Sequence, residues 1–357
     1  MNILILTTHL NPGGISRYVV NLAKGLNRQG CKVWVASCGG QWLGQLNDLG
    51  ISHRVIPINT KSICSIKILL SFIKLRNFII EEKIKIIHSN TRVTQALGWL
   101  IYKKLSVPYI NTYHGFYRST LSRKLFKFAG LRSIAVSEAV KKRLVKCSWF
   151  NPDKIRVVYN GLDAADFFIT ESKKSEYGFR EQDFLIGILG RISKEEGHFL
   201  AAKAMQILSS KYDNVYLLFS GKGKLEKQLR SFIVKAKIEA KVKFLDCPAN
   251  NFLDIINLLL VPSQKEGFGY SVIEAFLKEV PVIGYNVGGI AEIIKNRKNG
   301  ILFYNYNTNS LIDAIEELML KENLRKKITT GAKEDIWYFS YERMTLDTEK
   351  VYKEVLE

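Results

Sequence analysis

Glu266 and Glu274 flank seven residues in EGFGYSVIE, and Gly267 and Gly269 lie between them. Paired carboxylates beside a glycine loop suit vicinal sugar hydroxyls, because two acceptor oxygens match two O–H donors. The spacing alone is weak, since with 33 acids in 357 residues a second acid falls at any fixed offset roughly one time in eleven. The neighbouring elements add weight. Leu258 to Val261, closed by Pro262 and Ser263, has the length and composition of a buried strand. From Tyr270 the apolar Val272, Ile273, Ala275, Phe276 and Leu277 cover one side of a helix that stops before Pro281, and Pro281 to Tyr285 reads as the next strand. In a strand, glycine loop, helix, strand unit the ligand lies beyond the carboxyl ends of the strands, where backbone N–H groups face an anion. Both glutamates then face that crevice.

The longer string, running from Glu266 through PVIGYNVGGIAEII to NGILF at Asn299 to Phe303, resembles the signature of the retaining glycosyltransferases of family 4. The resemblance implies an α/β fold of GT-B architecture, two Rossmann-like domains whose parallel sheets face each other across a cleft. It implies that Glu266 contacts the transferred sugar, that Glu274 holds the nucleotide ribose, and that Phe268, Gly269, Tyr270 and Ser271 surround the donor. Gly14, in the double glycine after the first strand, falls near the donor phosphates, and His114, in NTYHGF, falls at the family's active-site histidine. Arg191 in GRISKEEGH matches an arginine that, with a later lysine, neutralises the donor diphosphate. At that lysine's usual position this chain has Glu196, and the nearest lysine is Lys194. SGKGKLEKQL resembles the next glycine turn near the nucleotide, so Gly221 and Lys222, or Lys224, are further donor contacts that can replace the missing charge. A metal-free site needs such fixed cations, so neither metal nor cofactor is expected beyond the nucleotide-sugar substrate.

Composition sets the outer bounds. A chain of 357 residues, 47% hydrophobic, is long enough for two domains with cores of their own. The five cysteines are scattered without a C-x-x-C pair, which points to a reducing compartment and away from a disulfide framework or zinc site. The N-terminus runs from the strand-like Asn2 to Thr7 straight into Pro12, Gly13 and Gly14, and no signal peptide is expected. The most apolar stretch, Ile63 to Ile80, is interrupted by Lys67, Lys74 and Arg76, so no membrane span is expected. Of the net charge of +20, residues 1–165 carry 25 Lys and Arg against 6 Asp and Glu, leaving 28 against 27 for the rest. One half therefore carries the field, which suits an anionic partner: phospholipid headgroups, an acidic acceptor or nucleic acid. No nucleic-acid motif and no aromatic-basic repeat is present, so a nucleic-acid partner is not expected.

Along the chain, NILILTT reads as a buried strand and HLNPGG as the turn into a helix ended by Gly30. The G-x-G-x-x-G spacing is missing there, and the next strand, Val33 to Ala36, ends at Ser37 rather than an acid, so a dinucleotide site is not expected. Strand-like runs recur at Arg54 to Ile58, Lys85 to His88, Tyr109 to Tyr113, Ser133 to Val136 and Arg156 to Tyr159, separated by helix-length stretches, as in a parallel sheet covered on both faces. His88 and His114 both end strands; His88 reads as structural and His114 as functional. Ile63 to Ile80 mixes a broad apolar surface with Lys67, Lys74 and Arg76 and reads as a crossover helix packed on the sheet, with contact to a membrane surface as its alternative. Tyr117 to Arg132 places Arg118, Arg123, Lys124 and Lys127 beside apolar residues, a candidate contact for a membrane surface or an anionic acceptor.

The expected domains are residues 1–165 for the acceptor, a polar linker at 166–183, residues 184–340 for the nucleotide sugar, and a terminal helix at 341–357 that packs back on the first domain. The expected activity is retaining, metal-independent transfer of a sugar from a UDP- or GDP-linked donor to a glycan or lipid-linked acceptor in cell-surface polysaccharide assembly. The expected place is cytoplasmic, peripheral on the inner face of the membrane. Alternatives are a nucleotide-sugar epimerase of similar fold, or a nucleotide-sugar-binding protein with catalysis weakened by Glu196.

Overall fold

The computed structural model describes residues 1–117, 120, 125–147, 150–168 and 172–357. The chain divides into two compact units, Met1–Leu162 with Phe339–Glu357, and Asp163–Tyr338.

In the first unit β1 (Asn2–Leu6), β2 (Lys32–Ser37), β3 (Ser52–Val55), β4 (Ile86–Ser89), β5 (Tyr109–Tyr113), β6 (Arg132–Ala135) and β7 (Ile155–Val157) form a parallel sheet in the order β3-β2-β1-β4-β5-β6-β7. Side chains alternate along a strand, so each strand feeds two cores. Ile3, Ile5, Val33 and Val35 pack with residues of helices Gly14–Arg28 and Tyr341–Leu356. Leu4, Leu6, Trp34 and Ala36 pack on the other face with residues of helices Ile66–Glu81 and Arg92–Leu105. This double burial is why β1 reads as an unbroken apolar run.

In the second unit β8 (Phe184–Leu189), β9 (Val215–Ser220), β10 (Val242–Leu245), β11 (Leu258–Val261), β12 (Val282–Tyr285) and β13 (Ile301–Phe303) form a parallel sheet ordered β10-β9-β8-β11-β12-β13. Strand order reverses between β1 and β4 in one sheet and between β8 and β11 in the other. A crevice opens beyond the carboxyl ends of the strands at each reversal, which is where open α/β sheets bind ligands.

Several expected boundaries move. β3 begins at Ser52 rather than Arg54, because Ser52 to Val55 pair with Trp34 to Ser37. The stretch expected as a linker, 166–183, belongs to the second unit. Its polarity serves local bonding: Lys174 Nζ donates to the carbonyls of Glu181 and Asp183 and to Asn257 Oδ1, and Arg180 pairs with Asp183 at 3.0 Å. Helix Glu322–Asp335 is an addition to the expected elements.

The terminal helix Tyr341–Leu356 returns to the first unit, where Glu354 accepts from Arg132 at 2.9 Å and pairs with Arg156 at 2.8 Å. Mid-helix Gly25 lies directly against it, since a Cβ there would stand 2.0 Å from Thr345 Oγ1. On an isolated helix Gly→Ala gains about 1 kcal/mol. Here the overpacking penalty of about 1–3 kcal/mol decides the sign. Gly25→Ala is expected to lower the midpoint of thermal unfolding, and a rise would show that the two helices do not meet this closely.

Candidate functional site

The loop after β11 carries the second unit's chemistry. Gly269 closes it at φ +107, a left-handed conformation that favours glycine, and opens helix Tyr270–Leu277, which has neither a side-chain cap nor an acid in its first turn. The positive end of its dipole therefore favours an anion. A second glycine loop locks against the first: Gly289 N donates to Glu266 O at 2.9 Å, and a Cβ at Gly289 would stand 2.4 Å from Phe268 O. Phe268 is buried, Tyr270 and Ser271 are half-buried, and Glu274 is 7% exposed in the helix.

The loop after β8 is pinned to this one. Gln264 N donates to Glu195 O at 2.7 Å, Lys265 pairs with Glu195 at 3.2 Å, and Ser263 Oγ donates to Glu196 Oε2 at 2.8 Å. Glu196 thereby lies near Glu266. Burial first, and then the Glu196 charge, push the Glu266 carboxyl up to about 7, against opposing hydrogen bonds from Phe268 N and Gly267 N. The glutamate in place of a lysine is thus an electrostatic neighbour of the leading candidate residue, a consequence of the Ser263 and Gln264 contacts that spacing does not reveal.

The glycine turn after β9 lies along the same loop. Ile192 N donates to Lys222 O at 3.3 Å, and a Cβ at Gly221, held at φ +137, would stand 2.1 Å from Gly190 O. Gly221 is there for close backbone approach. Lys222 is tied to Asp246 at 2.7 Å with both side chains largely exposed, a pair weak enough to exchange for a phosphate. Arg191 and Lys194 are exposed and carry no ion pair among the described residues. Among the described residues no group of three or more His, Cys, Asp or Glu side chains is arranged to hold a metal.

In the first unit Gly14 opens helix Gly14–Arg28 beyond β1, and Tyr18 of that helix meets the His114 ring edge-on at 4.7 Å. Asn90, just past β4 and fully buried, was not evident from spacing, although it stands beside His88 in IIHSN. Its Nδ2 donates to Leu6 O at 3.3 Å, which turns Oδ1 toward His114 Nε2 at 3.1 Å. An amide oxygen only accepts, so Nε2 carries the proton and Nδ1 remains an acceptor. Burial pushes the His114 imidazole down to about 3, so it is neutral at physiological pH. His88 is structural: Nδ1 bonds Tyr352 Oη at 2.7 Å and Nε2 bonds Thr112 Oγ1 at 2.6 Å. Of the basic contact candidates, Lys127 is exposed, whereas Arg118, Arg123 and Lys124 lie outside the described residues. No helix among the described residues is long and apolar enough to cross a membrane.

Comparison with known proteins converges on one family. The family described as glycosyl transferases group 1 matches residues 169–335, and the one described as glycosyltransferase family 4 matches residues 12–166. An uncharacterized glycosyltransferase of Methanocaldococcus jannaschii is 30% identical over 96% of this chain and 95% of its own. A capsular polysaccharide biosynthesis glycosyltransferase of Staphylococcus aureus is 28% identical over 85% of this chain and 84% of its own. The structure of Anabaena HepE in complex with UDP and glucose superposes with a TM-score of 0.85 at 19% identity, covering 99% of this chain and 100% of that one.

The raised Glu266 carboxyl has a signed consequence. Its folded pKa lies above its ordinary value of 4.5, so the stability it contributes is present below about pH 4.5 and is lost as pH rises through about 7. Glu266→Gln is therefore expected to raise the unfolding midpoint relative to the parent at about pH 8 and to leave it unchanged at about pH 4. Glu196→Gln should return the Glu266 carboxyl toward the ordinary range in a carboxyl NMR titration. Equal gains at both pH values would contradict the buried-charge account.

Proposed function

Since the chain belongs to the glycosyl transferases group 1 family, we propose that it is a retaining, metal-independent transferase that moves a hexosyl group from a UDP- or GDP-linked donor to a glycan or lipid-linked acceptor in cell-surface polysaccharide assembly. The observation that carries this reading is the second unit's crevice, where the helix at Tyr270, without a side-chain cap, follows Glu266 and carries Glu274, and the loop after β8 that holds the exposed Arg191 is hydrogen-bonded to the loop of Glu266. The nucleotide diphosphate takes the positive end of that helix, with Arg191, Lys194 and Lys222 as the cations that meet its charge. Glu274 accepts from the two ribose hydroxyls. Glu266, titrating near neutrality, faces the transferred sugar.

In the transfer the bond from the anomeric carbon to the diphosphate oxygen breaks, the acceptor oxygen bonds to that carbon on the same face, and the hydroxyl proton leaves with the nucleoside diphosphate. Fixed cations do the work that a metal would otherwise do, because the charge that grows on the leaving oxygen is what must be stabilised. His114, neutral and held by Asn90, offers its Nδ1 as an acceptor for a sugar hydroxyl. UDP is favoured as the donor nucleotide by the likeness to the HepE complex.

Glu274→Ala is expected to weaken UDP binding by about 1–3 kcal/mol in calorimetry, through lost charge-assisted hydrogen bonds. Glu266→Ala should mainly lower turnover. If both variants bind nucleotide and transfer sugar like the parent, the assignment of the crevice is wrong.

An acceptor with a lipid tail is favoured by the first unit's surface. That unit carries 28 Lys and Arg against 10 Asp and Glu. The outer side of helix Ile66–Glu81 exposes Ile66, Leu69, Leu70 and Ile73 beside Lys67, Lys74 and Arg76, while Ile68, Phe72 and Leu75 face the core. An apolar row flanked by cations fits an anionic membrane surface, with each cation contributing about 1 kcal/mol under weak screening. The protein is expected to sediment with anionic vesicles at low salt, to be released at high salt, and to lose binding in Leu69→Glu/Ile73→Glu. Binding that is indifferent to salt and to these changes would leave a soluble acceptor.

A further inference from the structure

Asp335 is a buried carboxylate of the second unit that the donor crevice does not use. It is the last residue of helix Glu322–Asp335, at 3% exposure, and three donors reach it: Lys295 Nζ at 2.8 Å, Lys298 Nζ at 3.3 Å and Asn299 Nδ2 at 2.9 Å. Burying a carboxylate is costly even when it is paired, and an apolar side chain at the same place would avoid that cost. Here the charge fixes an orientation. Asn299, fully buried, also donates through Nδ2 to Ile293 O at 3.1 Å, and its Oδ1 accepts from Lys295 N at 2.7 Å. Both amide hydrogens are thereby used, so the side chain can face only one way. The helix lies directly against this loop, since a Cβ at Gly331 would stand 2.2 Å from Lys298 O.

The segment that Asn299 holds adjoins the Glu266 loop. Helix Ile290–Ile293 is a single turn, too short to keep its place without outside contacts. At its start Gly289 N donates to Glu266 O at 2.9 Å. Its buried side chains meet the other end of the same loop, where a Cβ at Gly269 would stand 3.6 Å from both Ile290 Cγ1 and Ile293 Cδ1. Its carboxyl end is the Ile293 carbonyl that Asn299 takes up.

We propose that Asp335, acting through Asn299, is a positioning residue for sugar transfer: it seats helix Ile290–Ile293, which in turn holds the backbone at Glu266 and Gly269. The proposal rests on reading that crevice as the donor site.

Amide exchange on the ligand-free full chain, UDP calorimetry and turnover of a UDP-hexose test it together. Asn keeps the volume of Asp335 but offers one accepting oxygen in place of two, so Asp335→Asn leaves a donor unmet without opening a cavity. It should speed exchange at residues 289–293 and 266–269 by about tenfold and leave β8 and β11 unchanged. It should lower kcat by about five- to tenfold, with UDP affinity within about twofold of the parent. Ile328→Ala, which destabilises the same helix from its core side, should lower the unfolding midpoint without either effect. Lys295→Met removes an exposed partner, should move the same loop by a smaller factor, and serves if Asp335→Asn does not fold. A parent chain that binds no UDP would overturn the donor reading itself, whereas the exchange result decides the Asp335 contact with or without a nucleotide. Unchanged exchange at 266–269 in both Asp335→Asn and Lys295→Met, or equal loosening and loss of turnover in Ile328→Ala, would overturn the proposal.

Discussion

The second unit depends on the contact between two glycine loops. Gly289 donates to the carbonyl of Glu266, and no side chain fits at Gly289 because the Phe268 carbonyl occupies the space. This contact fixes the backbone at Glu266 while the hydrogen bonds of Ser263 and Gln264 bring in the loop that carries Glu196. Two carboxylates then share a partly desolvated place, and among the described residues neither has a paired cation to offset it. The raised carboxyl of Glu266 follows from that geometry and is a cost that an ordinary packed loop would avoid. Perturbed carboxyls of this kind concentrate at sites that do chemistry.

In the first unit the corresponding constraint is the return of the terminal helix. Tyr352 and Thr112 clamp His88, Tyr18 bonds Thr112 from the opposite side, and Tyr18 also supports the His114 ring. The terminal residues are thus connected to His114 through buried hydrogen bonds as far as Tyr18 and then through its ring contact. Burial keeps both imidazoles neutral, so His114 acts through hydrogen bonding rather than charge.

Much of this was legible in the residues, for physical reasons. Strands buried on both faces, such as NILIL and FLIGIL, announce themselves as continuous apolar runs, and the glycine loop after Leu258 to Val261 marks its own strand end. VKFL of β10 is short and only one of its four residues is fully buried because it lies at a sheet edge, and ENLRKKITTGAKED forms a helix whose polar majority hides its few buried positions. Long-range contacts were the least legible. Nothing local to Gly25 points to Thr345, Asn90 gains its role only when β4 lies beside β1, and Glu196 meets Glu266 only because β8 and β11 are neighbours. The linker expected at 166–183 illustrates the same limit, since polar composition looks alike whether its groups bond to water or, as for Lys174, to backbone carbonyls.

The central claim is that a nucleotide diphosphate sugar is held at the second unit's sheet reversal, between the loops after β8 and β11. Amide hydrogen exchange with and without a saturating UDP-hexose tests it most directly, because ligand bound to backbone N–H groups slows their exchange. The account predicts protection concentrated at residues 190–197, 221–224 and 262–277. Unchanged exchange at 262–277, with protection appearing only at other segments, would contradict it.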